Sequence, residues 1–317
     1  MVAALIRRCL TLLAFAAVPS LGLHGPAYAD WLEGAPIAQA RAFGAAASIG
    51  DTVYVAGGAG IEATVADFAA YDTIGDIWRP LPTMPSGRQG FGMAALDGAI
   101  YVSGGYAGDE FDQPSRELWR YDAVTAVWLQ MPDMPSARAR HGMAAIDGKL
   151  YVIGGEGPNA SRVLVFDGYQ GEWRDFGADL PVPRKDLGIV VAAGRVYAVG
   201  GRTGSGVTGR VDALDVSARR WTSAPDLPAP RADAAIGVVG SRIHVAGGRS
   251  NDPMRTFAEH YVLDANGGRW ASEAPLPLPR LGAASAGSEN GFVVVGGSGG
   301  AGVFSLFTTT DVVNIYK

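Results

Sequence analysis

Residues 88–105 read RQGFGMAALDGAIYVSGG, and residues 138–155 read RARHGMAAIDGKLYVIGG. The two stretches align without a gap. Each runs through small apolar residues to Asp-Gly, then through an aliphatic and aromatic run that stops at Gly-Gly. Asp-Gly between two such runs is the dipeptide of a tight two-residue hairpin, so each stretch predicts a pair of antiparallel strands. The closing doublet recurs six times, at Gly57-Gly58, Gly104-Gly105, Gly154-Gly155, Gly200-Gly201, Gly247-Gly248 and Gly296-Gly297. The successive spacings are 47, 50, 46, 47 and 49 residues, a period typical of chains built from stacked supersecondary units.

Three more markers keep register with the doublet. An arginine stands sixteen residues before each first glycine: Arg41, Arg88, Arg138, Arg184, Arg231 and Arg280. A tryptophan stands ten or eleven residues before each arginine: Trp31, Trp78, Trp128, Trp173, Trp221 and Trp270. Asp72, Asp122, Asp167, Asp215 and Asp264 stand six residues before five of these tryptophans. Each unit therefore reads as four strands, for example Phe91–Leu96, Ile100–Ser103, Leu118–Tyr121 and a fourth carrying Trp128. A lone sheet of four strands cannot bury both faces, whereas six of them around an axis can. The last unit stops in its third strand, Val312–Lys317, and the start of the repeat region offers a spare fourth strand, Asp30–Glu33. The expected fold over residues 30–317 is all-β, a six-bladed propeller of four antiparallel strands per blade. The N-terminal strand closes the last blade and covers edges that would otherwise be open.

The doublet, the Tyr-Asp pairs such as Tyr121-Asp122, and the spaced Trp and Arg resemble the Kelch-repeat pattern, in six copies over residues 30–317. The resemblance implies a four-stranded-blade propeller that binds partners. In its export signal, blade number and size the chain is also similar to the bacterial N-acetylneuraminate epimerase family, which interconverts sugar anomers by acid–base chemistry without a cofactor. The shared motifs are blade framework, so no catalytic residue carries over, and sugar mutarotation stands as the alternative to a protein- or carbohydrate-binding module. Kelch-like folds include galactose oxidase, whose copper site uses a tyrosine–cysteine cross-link and histidines. Here the single cysteine is Cys9, and His141, His244 and His260 lie in different registers of two units, which argues against that chemistry.

Arg7 and Arg8 precede an uncharged run from Cys9 to Leu23, followed by Ala27-Tyr28-Ala29. This is the pattern of a secretory signal cleaved after Ala29, which places the product in the periplasm or outside the cell. The run is shorter than the roughly 18 residues of a membrane span. Without residues 1–29 the chain has no thiol, hence no disulfide, thiolate ligand or cysteine nucleophile. It then carries 24 basic against 31 acidic residues, a net charge of −7. That balance argues against nucleic acid and anionic membranes as partners. Gly57–Gly60 opens no helix, so it is no dinucleotide motif. Asp109-Glu110-Phe111-Asp112 matches no calcium-loop spacing. No cofactor or metal is expected.

Strand alternation brings the start of each first strand, the Gly-Gly end of each second strand and the loops after the doublets to one mouth. Binding residues concentrate on loops held by a rigid scaffold. Residues common to all blades are expected to build blades, and residues that differ between blades to build a site. The six arginines fall under the first rule, with an anion-attracting ring as their second reading. The position two residues beyond each arginine, expected on the same strand face, falls under the second rule: Phe43, Gly90, Arg140, Asp186, Asp233 and Gly282. Arg140, Asp186 and Asp233 belong to consecutive blades, with Gln89, His141 and Lys185 next to these positions. Such a group is either a structural ion-pair network or a polar basin for a sugar, an acid or a peptide side chain. The loops add Glu110, Asp112 and Arg255, and an apolar set of Phe304, Leu306 and Phe307. The candidate ligand-binding residues are thus Arg138, Arg140, His141, Lys185, Asp186, Asp233, Glu110, Asp112 and Arg255.

Overall fold

The computed structural model describes residues 30–60, 63–108, 113–251, 255–300, 305 and 307–317. The expected signal segment, residues 1–29, lies outside them. Six four-stranded antiparallel sheets are present, and no helix occurs among the described residues. Blade one is Ala45–Ile49, Thr52–Ala56, Phe68–Asp72 and Ile77–Leu81. Blades two to five repeat this order, with first strands Gly92–Leu96, Gly142–Ile146, Gly188–Ala192 and Ala235–Val239. Blade six is Ala284–Ser288, Gly291–Val295, Val313–Tyr316 and, from the other end of the chain, Trp31–Gly34. The closing strand pairs Trp31 with Tyr316 and Gly34 with Val313, as the spare strand required.

The first two strands of blades two and three turn through Asp97-Gly98 and Asp147-Gly148, all four residues at positive φ, which is the two-residue turn that matches strand twist. The framework aspartates cap the next hairpin. Asp72 accepts from the backbone N–H of Ile74 and Gly75, and Asp122 from Val124 and Thr125. Apolar side chains on the facing sheet surfaces form six clusters, one in each gap between neighbouring blades. The tryptophans tie blade to blade at the rim. Trp78 donates its indole N–H to Ala35, Trp128 to Pro82, Trp173 to Pro132, Trp221 to Ala178, Trp270 to Pro225 and Trp31 to Ala274, at 2.7–3.1 Å.

The doublet works at the same interface nearer the axis. A Cβ on the first glycine of each pair would sit 2.2–2.7 Å from the carbonyl oxygen of the next blade's framework arginine. The second glycine donates its N–H to that same oxygen at 2.8–2.9 Å, as Gly105 does to Arg138. Both glycines are at positive φ in all six blades. Only glycine meets both demands, which explains why the doublet is the sharpest marker in the repeat.

Blade five departs from its neighbours. His244 takes the second-strand place held by Tyr54, Tyr101, Tyr151 and Tyr197. It is buried and lies 3.0 Å from His260 between their ring nitrogens, beneath Trp31, Phe292 and Tyr316 of the closing blade. Burial, then His260, depresses His244 to about 3, and burial depresses His260 to about 4. Both therefore stay neutral in the fold while titrating near 6.5 when unfolded. Their stabilisation is complete above pH 6.5 and is lost as pH falls toward 4, with a limiting slope of about 1.4 kcal/mol per pH unit per histidine. The raised Asp186 described below works in the opposite sense, so the comparison must be between variants. Urea unfolding at pH 7 and pH 5 should show a smaller acid loss in His244→Phe than in the unsubstituted protein. Equal losses would contradict this role.

Candidate functional site

The arginines of the repeat are framework. Arg88, Arg138, Arg231 and Arg280 are at most 1% exposed. Each donates to a carbonyl at the end of its own blade's second strand: Arg88 to Gly104, Arg138 to Gly154, Arg231 to Gly247 and Arg280 to Val294. Arg138 also donates to the carbonyls of Arg162 and Asn159. Its place among the ligand candidates is corrected on that ground, since its guanidinium is buried inside the blade. The Arg231 guanidinium lies 4.7 Å from the ring centres of both Phe257 and Tyr261.

The position two residues on behaves differently from the expected strand register. Phe43, Gly90, Arg140, Asp186, Asp233 and Gly282 precede their strands and all adopt left-handed φ, between 52° and 62°. Each donates its N–H to the carbonyl of its counterpart in the preceding blade: Gly90 to Phe43, Arg140 to Gly90, Asp186 to Arg140, Asp233 to Asp186, Gly282 to Asp233 and Phe43 to Gly282, at 2.6–3.0 Å. The six residues close a hydrogen-bonded ring around the axis. Glycine fits this backbone freely and aspartate tolerably, but a bulky residue there costs roughly 1–2 kcal/mol. Blade three spends that on Arg140 although blades two and six show that glycine suffices. Such strain is characteristic of residues kept for their side chains.

Those side chains rim a basin of about 510 Å³. On the side of blades three to five runs a chain of alternating charge. Lys185 and Tyr106 donate to Glu156. The Arg140 Nε lies 2.9 Å from Glu156, and its Nη1 lies 3.4 Å from Asp186. Arg249 bonds Asp186 at 3.2 Å and Asp233 at 2.5 Å. Asp186 is nearly enclosed. Burial, then repulsion from Asp233, raises its carboxyl to about 7 against the pull of Arg140, Arg249 and Lys185. Burial also works on Glu156, but bonds from Lys185 and Tyr106 and the charge of Arg140 hold it below the ordinary glutamate range. The opposite wall is uncharged, with Phe43, Gln89 and Phe91. Arg202 lines the basin too, half-buried, and among the described residues no carboxylate lies within 4.0 Å of its guanidinium.

Thus Arg140, Asp186, Asp233 and His141 do line one basin, with Lys185 at its edge. His141 contributes little charge there. It is buried, paired through Nε2 with Ser103 at 2.9 Å, and depressed to about 3 by burial and then by Arg138. Arg255 is exposed, rests over Phe257 and near Glu259, and does not reach the basin. Glu110 and Asp112, with Phe304 and Leu306, lie outside the described residues, and Phe307 is exposed. Sequence reading missed Tyr106, Glu156, Arg202 and Arg249. All four directly follow a Gly-Gly doublet, where the other two blades have Ala59 and Ser298. That position also varies from blade to blade and pairs with the residue just before the ring position of its own blade.

Comparison with known proteins agrees with the architecture. The family model described as the KLHDC2/KLHL20/DRC7 Kelch-repeats domain matches residues 30–155 and 131–297. Kelch-like protein 33 of Homo sapiens is 32% identical over 83 residues, 26% of this chain and 16% of that protein. Kelch-like protein 40 of Xenopus tropicalis is 27% identical over 157 residues, 49% of this chain and 25% of that protein. The chain thus matches a quarter or less of each relative's length. With six blades in register and a family model that spans most of them, the chain belongs to the Kelch-repeat family.

Proposed function

We propose that the chain is an exported binding propeller that takes a carboxylate-bearing group of its partner, an acidic side chain or a sugar acid, into the basin at the arginine mouth. The observation that carries this reading is the cation balance of the basin wall. Arg140, Arg202, Arg249 and Lys185 stand against Asp186, Asp233 and Glu156, and Arg202 has no acidic partner within reach among the described residues. A guanidinium held half-buried matches a carboxylate in charge and in planar geometry. Phe43 and Phe91 offer an apolar face to the remainder of the ligand. The Kelch fold suits a protein partner. Export rests on Arg7-Arg8, the apolar run and Ala27-Tyr28-Ala29, and N-terminal sequencing of the secreted product should begin at Asp30.

Thermal shift of the protein lacking residues 1–29, against acidic peptides and sugar acids such as N-acetylneuraminate, tests the binding. A ligand at 100 times its Kd adds about 2.7 kcal/mol of apparent stability. The shift should vanish in Arg202→Ala and shrink in Arg140→Ala/Asp233→Ala. It should also be larger at pH 6 than at pH 8, because Asp186 takes up a proton as pH falls through about 7 and the basin becomes more positive. A shift of equal size in Arg202→Ala would overturn the reading. Sugar mutarotation is favoured by one feature only, a carboxyl titrating near neutrality with a second, Asp233, across Arg249. Anomer exchange accelerated by the protein and abolished in Asp186→Asn would support it.

A further inference from the structure

The end of the propeller opposite the basin carries the hairpin tips, and its surface is divided into two sectors. Ile74, Val124 and Tyr169 hold the same place in blades one, two and three, two residues after the framework aspartate. They are 72%, 93% and 99% exposed. The equivalent residues of blades four and five are Ser217 and Asn266. A single exposed apolar residue is ordinary, whereas here one stands at the equivalent tip of each of three consecutive blades.

Charge divides along the same line. Ile74 and Val124 stand among Asp72, Asp76, Asp97 and Asp122, and the arginines beside them, Arg79 and Arg120, already lie against Asp72 and Asp122. Across the axis, blades four and five carry their own framework aspartates, Asp215 and Asp264, but present more arginines, Arg195, Arg219, Arg220 and Arg269, all exposed. Among the described residues none of these four has a carboxylate within 4.0 Å. Beside them, between blades three and four, lies a cavity of about 240 Å³ with Tyr151, Val165, Phe176 and Val216 in its wall, together with Asp147, Lys149, Arg174 and Asp175. Arg219 stands at its edge, over the Phe176 ring at 5.4 Å. One side of this end therefore carries apolar knobs among carboxylates, and the other a cavity of mixed apolar and charged lining beside guanidiniums.

We propose that this end is a symmetric contact between two copies of the chain. The knobs and carboxylates of blades one and two of each copy meet the hollow and arginines of blades three to five of the other. A two-fold axis lying in the plane of the end face exchanges opposite sides of the ring, so one docking satisfies both halves at once. A basic partner protein would use the acidic sector and leave the arginine sector idle. The presence of both complements on one face singles out a second copy. A stable contact of this kind covers about 800 Å² on each partner, the scale of a small propeller's end face.

Sedimentation velocity of the purified protein across a concentration series tests this. Dimer is expected, weakened at high salt because exposed charges are screened. Ile74→Arg/Val124→Arg places positive charge against the partner's arginines and should weaken the dimer at least tenfold. Arg220→Glu/Arg269→Glu should do the same from the other side. All four side chains are exposed, so circular dichroism melts should match the unsubstituted protein. An equimolar mixture of the two variants should restore the dimer, because one of its two contacts is then reversed in sign and the other is native. Monomer at every concentration, a dimer indifferent to both variants, or a mixture that stays monomeric would each overturn the proposal.

Discussion

Removal of residues 30–35 should lower the melting temperature of the propeller by 10 °C or more. The segment supplies the fourth strand of blade six, with four residue pairs to Val313–Tyr316. It also supplies Trp31, buried among His260, Phe292 and Tyr316 and bonded through its indole N–H to Ala274 of blade five at 2.7 Å. Loss of a buried tryptophan alone costs about 3–5 kcal/mol. In a domain of this size each kcal/mol corresponds to roughly 2–4 °C. The deletion also opens a strand edge and removes the bond that makes the ring a closed object. Circular dichroism melts of the truncated and untruncated proteins measure the effect. An unchanged melt would mean that blade six stands on three strands and that closure lies elsewhere.

The second large effect is expected at the doublets. Gly104 sits at φ 59°, and a Cβ there would lie 2.2 Å from the Arg138 carbonyl oxygen, which is rigid backbone of the next blade. Gly104→Ala must push blades two and three apart or lose the Gly105-to-Arg138 hydrogen bond, and should cost at least about 3 kcal/mol, the range of a clash added to backbone strain. Gly50 is the control. Its φ is 58° and no atom lies within 4 Å of an added Cβ. Gly50→Ala should therefore cost only the left-handed backbone penalty of about 1–2 kcal/mol. Urea unfolding of the two variants separates interface geometry from backbone preference. Equal losses would remove the doublet from its assigned role between blades.

The architecture was legible because a propeller repeats its own constraints. The Gly-Gly doublets mark close approach to a neighbouring carbonyl, the tryptophans mark a rim hydrogen bond, and the arginines mark a buried fork onto strand-end carbonyls. Six copies turn weak local signals into a register. The same repetition exposed Arg140, Asp186 and Asp233, since a site is where blades stop being alike. It did not reveal that their backbone is left-handed, although glycine and aspartate at four of the six equivalent positions are the residue types that such a conformation favours. Arg202 and Arg249 were hidden for another reason. They follow the doublets, in the loops after the second strands, where nothing in the repeat tells a basin residue from a solvated one. Arg138 shows the opposite error, because an arginine at a mouth reads as accessible until packing shows its guanidinium sealed under Asn159 and Arg162.

The most direct test of the central claim is a crystal structure of residues 30–317 grown with the acidic peptide or sugar acid that gives the largest thermal shift. The carboxylate should lie within hydrogen-bonding distance of Arg202, with Arg249 or Arg140 as its second donor and the remainder of the ligand against Phe43 and Phe91. A ligand seated at the hairpin end, or in the basin with its carboxylate turned away from Arg202, would contradict the assignment.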